Sequence, residues 1–149
     1  MAVEASQKIT PFLWFKDQAE EAVAFYLSVF PGSKKTGEFR GPDGKVITAS
    51  FELGGLTFVA LNGNAEFAFT KATSFAVKCK DQAEIDALWD KLLSSGGKEV
   101  ACGWIDDKYG LSWQITPENI MELIKPPKAF QAMMTMKKLI IADLEAAAK

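Results

Sequence analysis

The five residues Lys16-Asp17-Gln18-Ala19-Glu20 return letter for letter as Lys80-Asp81-Gln82-Ala83-Glu84, 64 positions further on. A repeat on this scale restricts the chain to two tandem copies of one supersecondary unit. The surroundings of each copy agree. Before the first lies Pro11-Phe12-Leu13-Trp14-Phe15, before the second Ser74-Phe75-Ala76-Val77-Lys78-Cys79, and both short apolar runs read as strands. After each copy the period changes to that of a helix. Ala22, Phe25, Tyr26 and Val29 fall on one helical face, and Ile85, Leu88, Trp89 and Leu92 on another. These sets match at an offset of 63, so helix one is expected to carry one extra residue near Glu20-Glu21. Asp17 with Glu20, and Asp81 with Glu84, have capping-box spacing. Pro31-Gly32 and Gly96-Gly97 are the stop signals.

A second echo pairs Gly55-Leu56-Thr57-Phe58-Val59 with Gly110-Leu111-Ser112-Trp113-Gln114. Gly54-Gly55 is expected to join strands Val46–Leu53 and Leu56–Leu61 as a hairpin, and Asp106–Gly110 to join Lys98–Ile105 to Leu111–Thr116. Each half is then strand, helix and three strands, the first of those three being the weakest in the sequence. The fold class is α+β: two tandem βαβββ modules, a curled mixed sheet around a cleft, plus a C-terminal helix. Residues 1–125 read as one domain, with module one at about 8–64 and module two at about 72–118. Pro126-Pro127 sets off a helical extension, 126–149, whose apolar side is Phe130, Met133, Met134, Leu139, Ile140 and Leu144. It is expected to pack on its own domain or on a partner subunit.

Composition excludes several functions. With 149 residues, 48% hydrophobic and 24% charged, the chain has enough apolar material for a core without staples. A net charge of −2 and a single arginine, Arg40, argue against nucleic acid as a partner. There is no histidine, which removes the commonest metal ligand and the commonest general base together. Cys79 and Cys102 read as free, buried thiols of a reducing compartment. No apolar run approaches a membrane span, and the start MAVEASQK lacks the apolar core of a secretory signal, so a cytoplasmic protein is expected.

Several stretches resemble one known group. They are Ile9-Thr10-Pro11-Phe12-Leu13-Trp14-Phe15, Phe25-Tyr26, Phe58-Val59-Ala60-Leu61-Asn62-Gly63, and Cys102-Gly103-Trp104 with Asp107-Lys108-Tyr109-Gly110-Leu111-Ser112-Trp113-Gln114. Together with the repeat, they resemble the vicinal oxygen chelate superfamily of glyoxalases, extradiol dioxygenases and bleomycin and fosfomycin resistance proteins. The branch is the PhnB-like one, often labelled 3-demethylubiquinone-9 3-methyltransferase. The resemblance spans nearly the whole chain. It implies a cleft with a metal between the modules, held by the first and last strands of each, and often a homodimer. The repeat places those four slots at Thr10, Val59, Ser74 and Gln114. Valine has no donor atom, and neutral hydroxyl and amide oxygens hold divalent ions weakly without carboxylate or imidazole beside them. The expectation is therefore the superfamily's fold with no metal and no cofactor. A usual methyl-donor site is a Gly-rich loop after the first strand of a doubly wound sheet. The glycines here fall in hairpin and helix-end turns, so no S-adenosylmethionine site is expected.

Strand alternation assigns the faces. With Thr10 and Ser74 facing the cleft, so do Phe12, Trp14, Ala76 and Lys78. From the last strands come Thr57, Val59, Leu61, Ser112, Gln114 and Thr116, while Leu13, Phe15, Phe58, Ala60, Phe75, Val77, Cys79, Trp113 and Ile115 face the core. Asn62 lies at a strand end, free to turn either way, and Trp104 either sits at the rim or simply packs. Such an apolar, aromatic cleft with a few neutral polar groups suits a small-molecule ligand. Phe12 and Trp14 would stack on it, or else merely fill the cleft as core. Gln114 and Ser74 would orient it, and Gln114 is the best catalytic candidate if there is turnover. Two readings follow: a metal-free binder of an apolar or aromatic molecule, or an enzyme relying on polar cleft residues or a substrate-borne metal. In a third, the cleft is filled and the protein works through partners.

Overall fold

The computed structural model describes residues 7–64 and 66–149. The first six residues, on which the reading of the N-terminus partly rests, lie outside the described residues. Internal contacts divide the chain into two compact units, one ending at Phe67 and the next beginning at Ala68.

The first unit runs β1 (Phe12–Phe15), α1 (Ala19–Val29), β2 (Lys34–Arg40), β3 (Val46–Leu53) and β4 (Leu56–Asn62), with sheet order β1-β4-β3-β2. β1 lies parallel to β4, and the other pairs are antiparallel. The core forms where α1 lays Ala22, Val23, Tyr26 and Val29 against the sheet. Tyr26 stacks on Phe51 at 6.0 Å between ring centroids, and Phe51 on Phe58 at 5.5 Å. Each fully buried side chain of this size contributes about 1.5–3 kcal/mol from removal of apolar surface. The hairpin between β3 and β4 needs both its glycines, because Gly54 and Gly55 have φ of 55° and 86°, as a two-residue turn of this hand requires.

The second unit repeats the order: β5 (Ser74–Cys79), α2 (Gln82–Ser94), β6 (Lys98–Glu99), β7 (Trp104–Asp106) and β8 (Ser112–Pro117), with sheet order β5-β8-β7-β6. Three short helices follow, α3 (Ile120–Leu123), α4 (Pro127–Met133) and α5 (Ile141–Ala147). The two sheets share one register. Phe12 stands opposite Val59 in the first unit, and their repeat partners Ala76 and Gln114 stand opposite each other in the second.

The helix starts correct the expected alignment. Three residues separate β1 from α1, but only two separate β5 from α2. The extra residue is thus in the strand-to-helix loop and not near Glu20-Glu21. The shift puts Gln18 where Asp81 stands in the other unit, and Gln18 makes no side-chain cap. Asp81 does cap α2, accepting from Glu84 N at 2.9 Å, while Glu84 accepts from Lys80 N at 2.8 Å. In α1 the Asp17–Glu20 box is replaced by Asn62 at the end of β4, whose Oδ1 accepts from Ala19 N at 2.8 Å.

Two further expectations change. Lys98–Ile105 is not one strand but folds back on itself as β6 and β7, through a turn in which Cys102 and Gly103 both take positive φ, 57° and 86°. In the first unit the corresponding strand, β2, has the weakest signal in the sequence but seven residues, paired along its length with β3. The C-terminal extension is not one helix. Between α4 and α5 the chain straightens to meet the β6–β7 turn, where Cys102 N and Gly103 N each donate at 2.8 Å to the carbonyls of Met136 and Lys137. Gln82 clasps the start of α5, donating to Leu139 O at 2.9 Å and accepting from Ile141 N at 2.8 Å. Leu139 and Leu144 are buried, whereas Phe130 and Met134 stay exposed. The extension therefore packs on the second unit.

Both cysteines are free; Cys79 is buried, but Cys102 is only partly so. Burial, reinforced by the nearby carboxylates of Glu84 and Asp81, pushes the Cys79 thiol up to about 12. A thiol whose folded pKa is raised stabilises the fold below its unfolded value and ceases to do so as pH climbs toward 12. We expect a thiol reagent at pH 8 to modify Cys102 in the native protein and Cys79 only after unfolding, counted by mass spectrometry.

No helix among the described residues is long and apolar enough to cross a membrane.

Candidate functional site

In the first unit, the sheet face opposite α1 is built from residues that alternate with the core positions. Phe12, Val59 and Ser50 form one row across β1, β4 and β3, and Trp14, Leu61 and Thr48 the next. Val59 and Ser50 are buried, and Leu61 is half-buried. Phe12 and Trp14 are 57% and 42% exposed, so their rings are presented and not consumed as core. The Trp14 ring lies over Gly63, where an added Cβ would come within 2.7 Å of its Nε1. The ring also meets Phe67, with centroids 5.0 Å apart and planes tilted by 56°. Thr10 lies just before β1 and is half-buried.

Asn62 turns to the helix side. Besides capping α1 it donates from Nδ2 to Val46 O at 3.1 Å, which ties β4, β3 and α1 together. Its amide is engaged in the fold and not presented on the aromatic face.

The corresponding face of the second unit is polar. Ser74, Ser112 and Asp106 make one row across β5, β8 and β7, and Ala76, Gln114 and Trp104 the next. Gln114 Nε2 donates to Ser74 Oγ at 2.9 Å, so two of the slots placed by the repeat are in direct contact. Buried Ser112 donates to Asp106 Oδ1 at 2.7 Å, and Lys71 pairs with Asp106 Oδ2 at 2.6 Å. Ala76 and Lys78 are exposed, and Trp104 is half-buried. Neighbouring Asp107 does something different: it is buried and holds the β7–β8 turn. Glu99 accepts from Trp89 Nε1 at 2.8 Å.

The donors do not fit a divalent metal. Thr10 and Val59 offer one hydroxyl between them, and Ser74 and Gln114 are hydrogen-bonded neutral groups. Among the described residues no three His, Cys, Asp or Glu side chains gather to hold an ion. No step is therefore routed through a metal.

Phe67 and Lys71 escaped the sequence reading. Phe67 sits beyond the last strand of its module, and Lys71 precedes the next, so strand alternation says nothing about either.

Comparison with known proteins places this architecture. Residues 7–116 match the family model described as 3-demethylubiquinone-9 3-methyltransferase. The PhnB protein from Bacillus cereus is 37% identical and superposes with a TM-score of 0.68 over 74% of this chain and 99% of its own. Protein PA1353 from Pseudomonas aeruginosa is 19% identical, with a TM-score of 0.63 over 76% of this chain and 98% of its own. The fosfomycin resistance protein FosX from Listeria monocytogenes, in a complex with Mn(II) and sulfate, is 14% identical, with a TM-score of 0.57 over 78% and 98%. No curated protein matches. By its matched length, its identity to PhnB and its paired βαβββ sheets, the chain belongs to the 3-demethylubiquinone-9 3-methyltransferase family, a PhnB-like branch of the vicinal oxygen chelate superfamily.

Proposed function

We propose that this protein binds a small apolar or aromatic molecule without a metal, using the helix-free faces of its sheets. The observation that carries this reading is the exposure of Phe12 and Trp14 on the sheet face opposite α1. Flat rings presented in this way stack on ligand rings and exclude water from them. In the second unit, Gln114, held by Ser74, is the neutral polar group that the corresponding sheet face presents. The family description does not by itself make the chain a methyltransferase: no glycine-rich loop follows the first strand, and positive-φ glycines such as Gly54-Gly55 and Gly110 sit in turns.

Titration with 1-anilinonaphthalene-8-sulfonate and with 2-naphthol tests this. Saturable quenching of tryptophan fluorescence is expected, with at least a tenfold weaker response in Trp14→Ala and an unchanged fold by circular dichroism. Equal quenching in Trp14→Ala would overturn the assignment. Metal analysis of protein purified without a histidine tag is expected to find far less than one zinc, nickel or iron per chain; about one per chain would defeat the metal-free reading.

The polar row of the second unit favours a second reading, an enzyme that relies on Gln114 or on a metal brought by its substrate. Under it, Gln114→Ala abolishes turnover of a substrate and leaves the fold intact. Under the binding reading it only weakens affinity. A homodimer is proposed with either, to be checked by light scattering.

A further inference from the structure

The first unit carries a second, chemically different concavity. A hollow of about 540 Å³ lies where the carboxyl ends of β1 and β4 meet the start of α1. Its wall comes from three separate loops: Lys16 and Asp17 after β1, Gly44 and Lys45 in the β2–β3 turn, and Gly63 and Asn64 after β4, with Glu20 and Arg40 closing it. The carboxyl ends of parallel strands are where α/β architectures gather ligands, because the chain diverges there and backbone groups are left to be used. Among the described residues no aromatic side chain lines this hollow, which meets the Phe12–Trp14 face only at Gly63.

Three cations line it, and one of them is the only arginine in the chain. That arginine is held in place. Its Nε and Nη2 reach Glu38 Oε1 at 2.9 and 2.7 Å, and its Nη1 donates to Gly44 O at 2.8 Å. Gly44 takes φ of 81°, a conformation that brings its carbonyl to the guanidinium in a tight turn. Of the five N–H groups on a guanidinium, the contacts found among the described residues leave two for a ligand. A fork fixed in this way loses little freedom on binding, which is why such arginines suit tetrahedral oxyanions. Asp17 and Glu20 add acceptors. An anion bare of donors would be repelled by them, whereas one carrying hydroxyl groups would be anchored by them.

We propose that this hollow binds a small hydroxylated phosphate ester, its phosphate among Lys16, Arg40 and Lys45 and its hydroxyls on Asp17 and Glu20. The volume suits a ligand of this size. The site does not depend on the aromatic face proposed above to bind apolar molecules, and either can fail alone.

Glycerol 3-phosphate, glycerol, glycerate and inorganic phosphate are to be titrated into the 15N-labelled full chain while the amides of Gly44, Gly63 and Asn64 are followed by NMR. Saturable shifts are expected with glycerol 3-phosphate, about tenfold weaker binding of inorganic phosphate and glycerate, and none of glycerol, with affinity falling as salt is raised. The double variant Lys16→Gln, Lys45→Gln leaves the Arg40–Glu38 contact in place and is expected to weaken glycerol 3-phosphate at least tenfold, as loss of charge-assisted contacts does. Three outcomes overturn the proposal: no saturable shift at these amides, equal binding by the double variant, or phosphate and glycerate binding as tightly as the ester.

Discussion

Replacing Asp107 with alanine is expected to lower stability by about 4 kcal/mol, through the buried donors it strands, and the melting temperature by roughly 8–16 °C for a chain of this size. The carboxylate is only 3% exposed. Its Oδ1 accepts from Tyr109 N at 2.8 Å and Leu111 N at 3.1 Å, and its Oδ2 accepts from the Trp113 indole at 2.9 Å. One side chain thus closes the turn between β7 and β8 and fixes the orientation of the largest ring on β8. Alanine leaves these donors without the acceptor and adds nothing. Asparagine keeps one oxygen but sets its amide nitrogen against a donor, so about half the loss is expected. Urea denaturation of the three proteins checks this; an alanine variant within about 1 kcal/mol of the parent, less than one buried hydrogen bond removed, would show that the turn is held by other means.

Gly97→Ala is the second large effect. An added Cβ would lie 2.4 Å from Leu92 O and 2.6 Å from Asp106 O. Both are backbone atoms, one in the last turns of α2 and one in β7, so no side chain can rotate out of the way. Either the helix end or the strand has to move, and the bond from Gly97 N to Leu92 O at 3.0 Å is lost with it. A cost of about 3 kcal/mol or more is expected from overpacking of this kind. Gly32→Ala is the contrast. That position has open space around it and φ of 78°, so the change costs only backbone strain, about 1–2 kcal/mol. Thermal denaturation of the pair separates sterics from strain. Equal losses would mean that the approach at Gly97 relaxes cheaply.

The two kinds of glycine show what was legible in the sequence and what was not. Gly54-Gly55 announces its hairpin because the turn is local and its chemistry is local. Gly97 announces only a helix end; the strand that crowds it arrives from elsewhere. The same division holds throughout. Two-residue alternation put Phe12 and Trp14 on the face away from α1, and the offset between copies relates the Phe12–Val59 pair to the Ala76–Gln114 pair. The fold-back at Cys102 was hidden because a non-glycine residue takes the left-handed conformation there. The letter-perfect match of Lys16–Glu20 with Lys80–Glu84 misled by one position. Identity of sequence suggested identity of caps, but Asn62 reaches across from β4 to do for α1 what Asp81 does for α2 within its own turn. On the candidate site, alternation put Phe12, Trp14, Ser74, Ser112 and Gln114 on the face away from the helices, but it could not place Phe67 and Lys71, which lie on connections beyond the strands.

That difference in caps has a kinetic consequence. The start of α2 is closed by Asp81 and Glu84, three residues apart, so its first turn can form within a chain that is otherwise unfolded. The start of α1 waits for an amide 43 residues away, and a contact of that separation must first overcome the entropy of closing the intervening loop. Two modules of one topology therefore do not order in the same way. In the second, the helix start is capped from within its own turn. In the first, the side-chain cap of the helix is complete only once the last strand has docked.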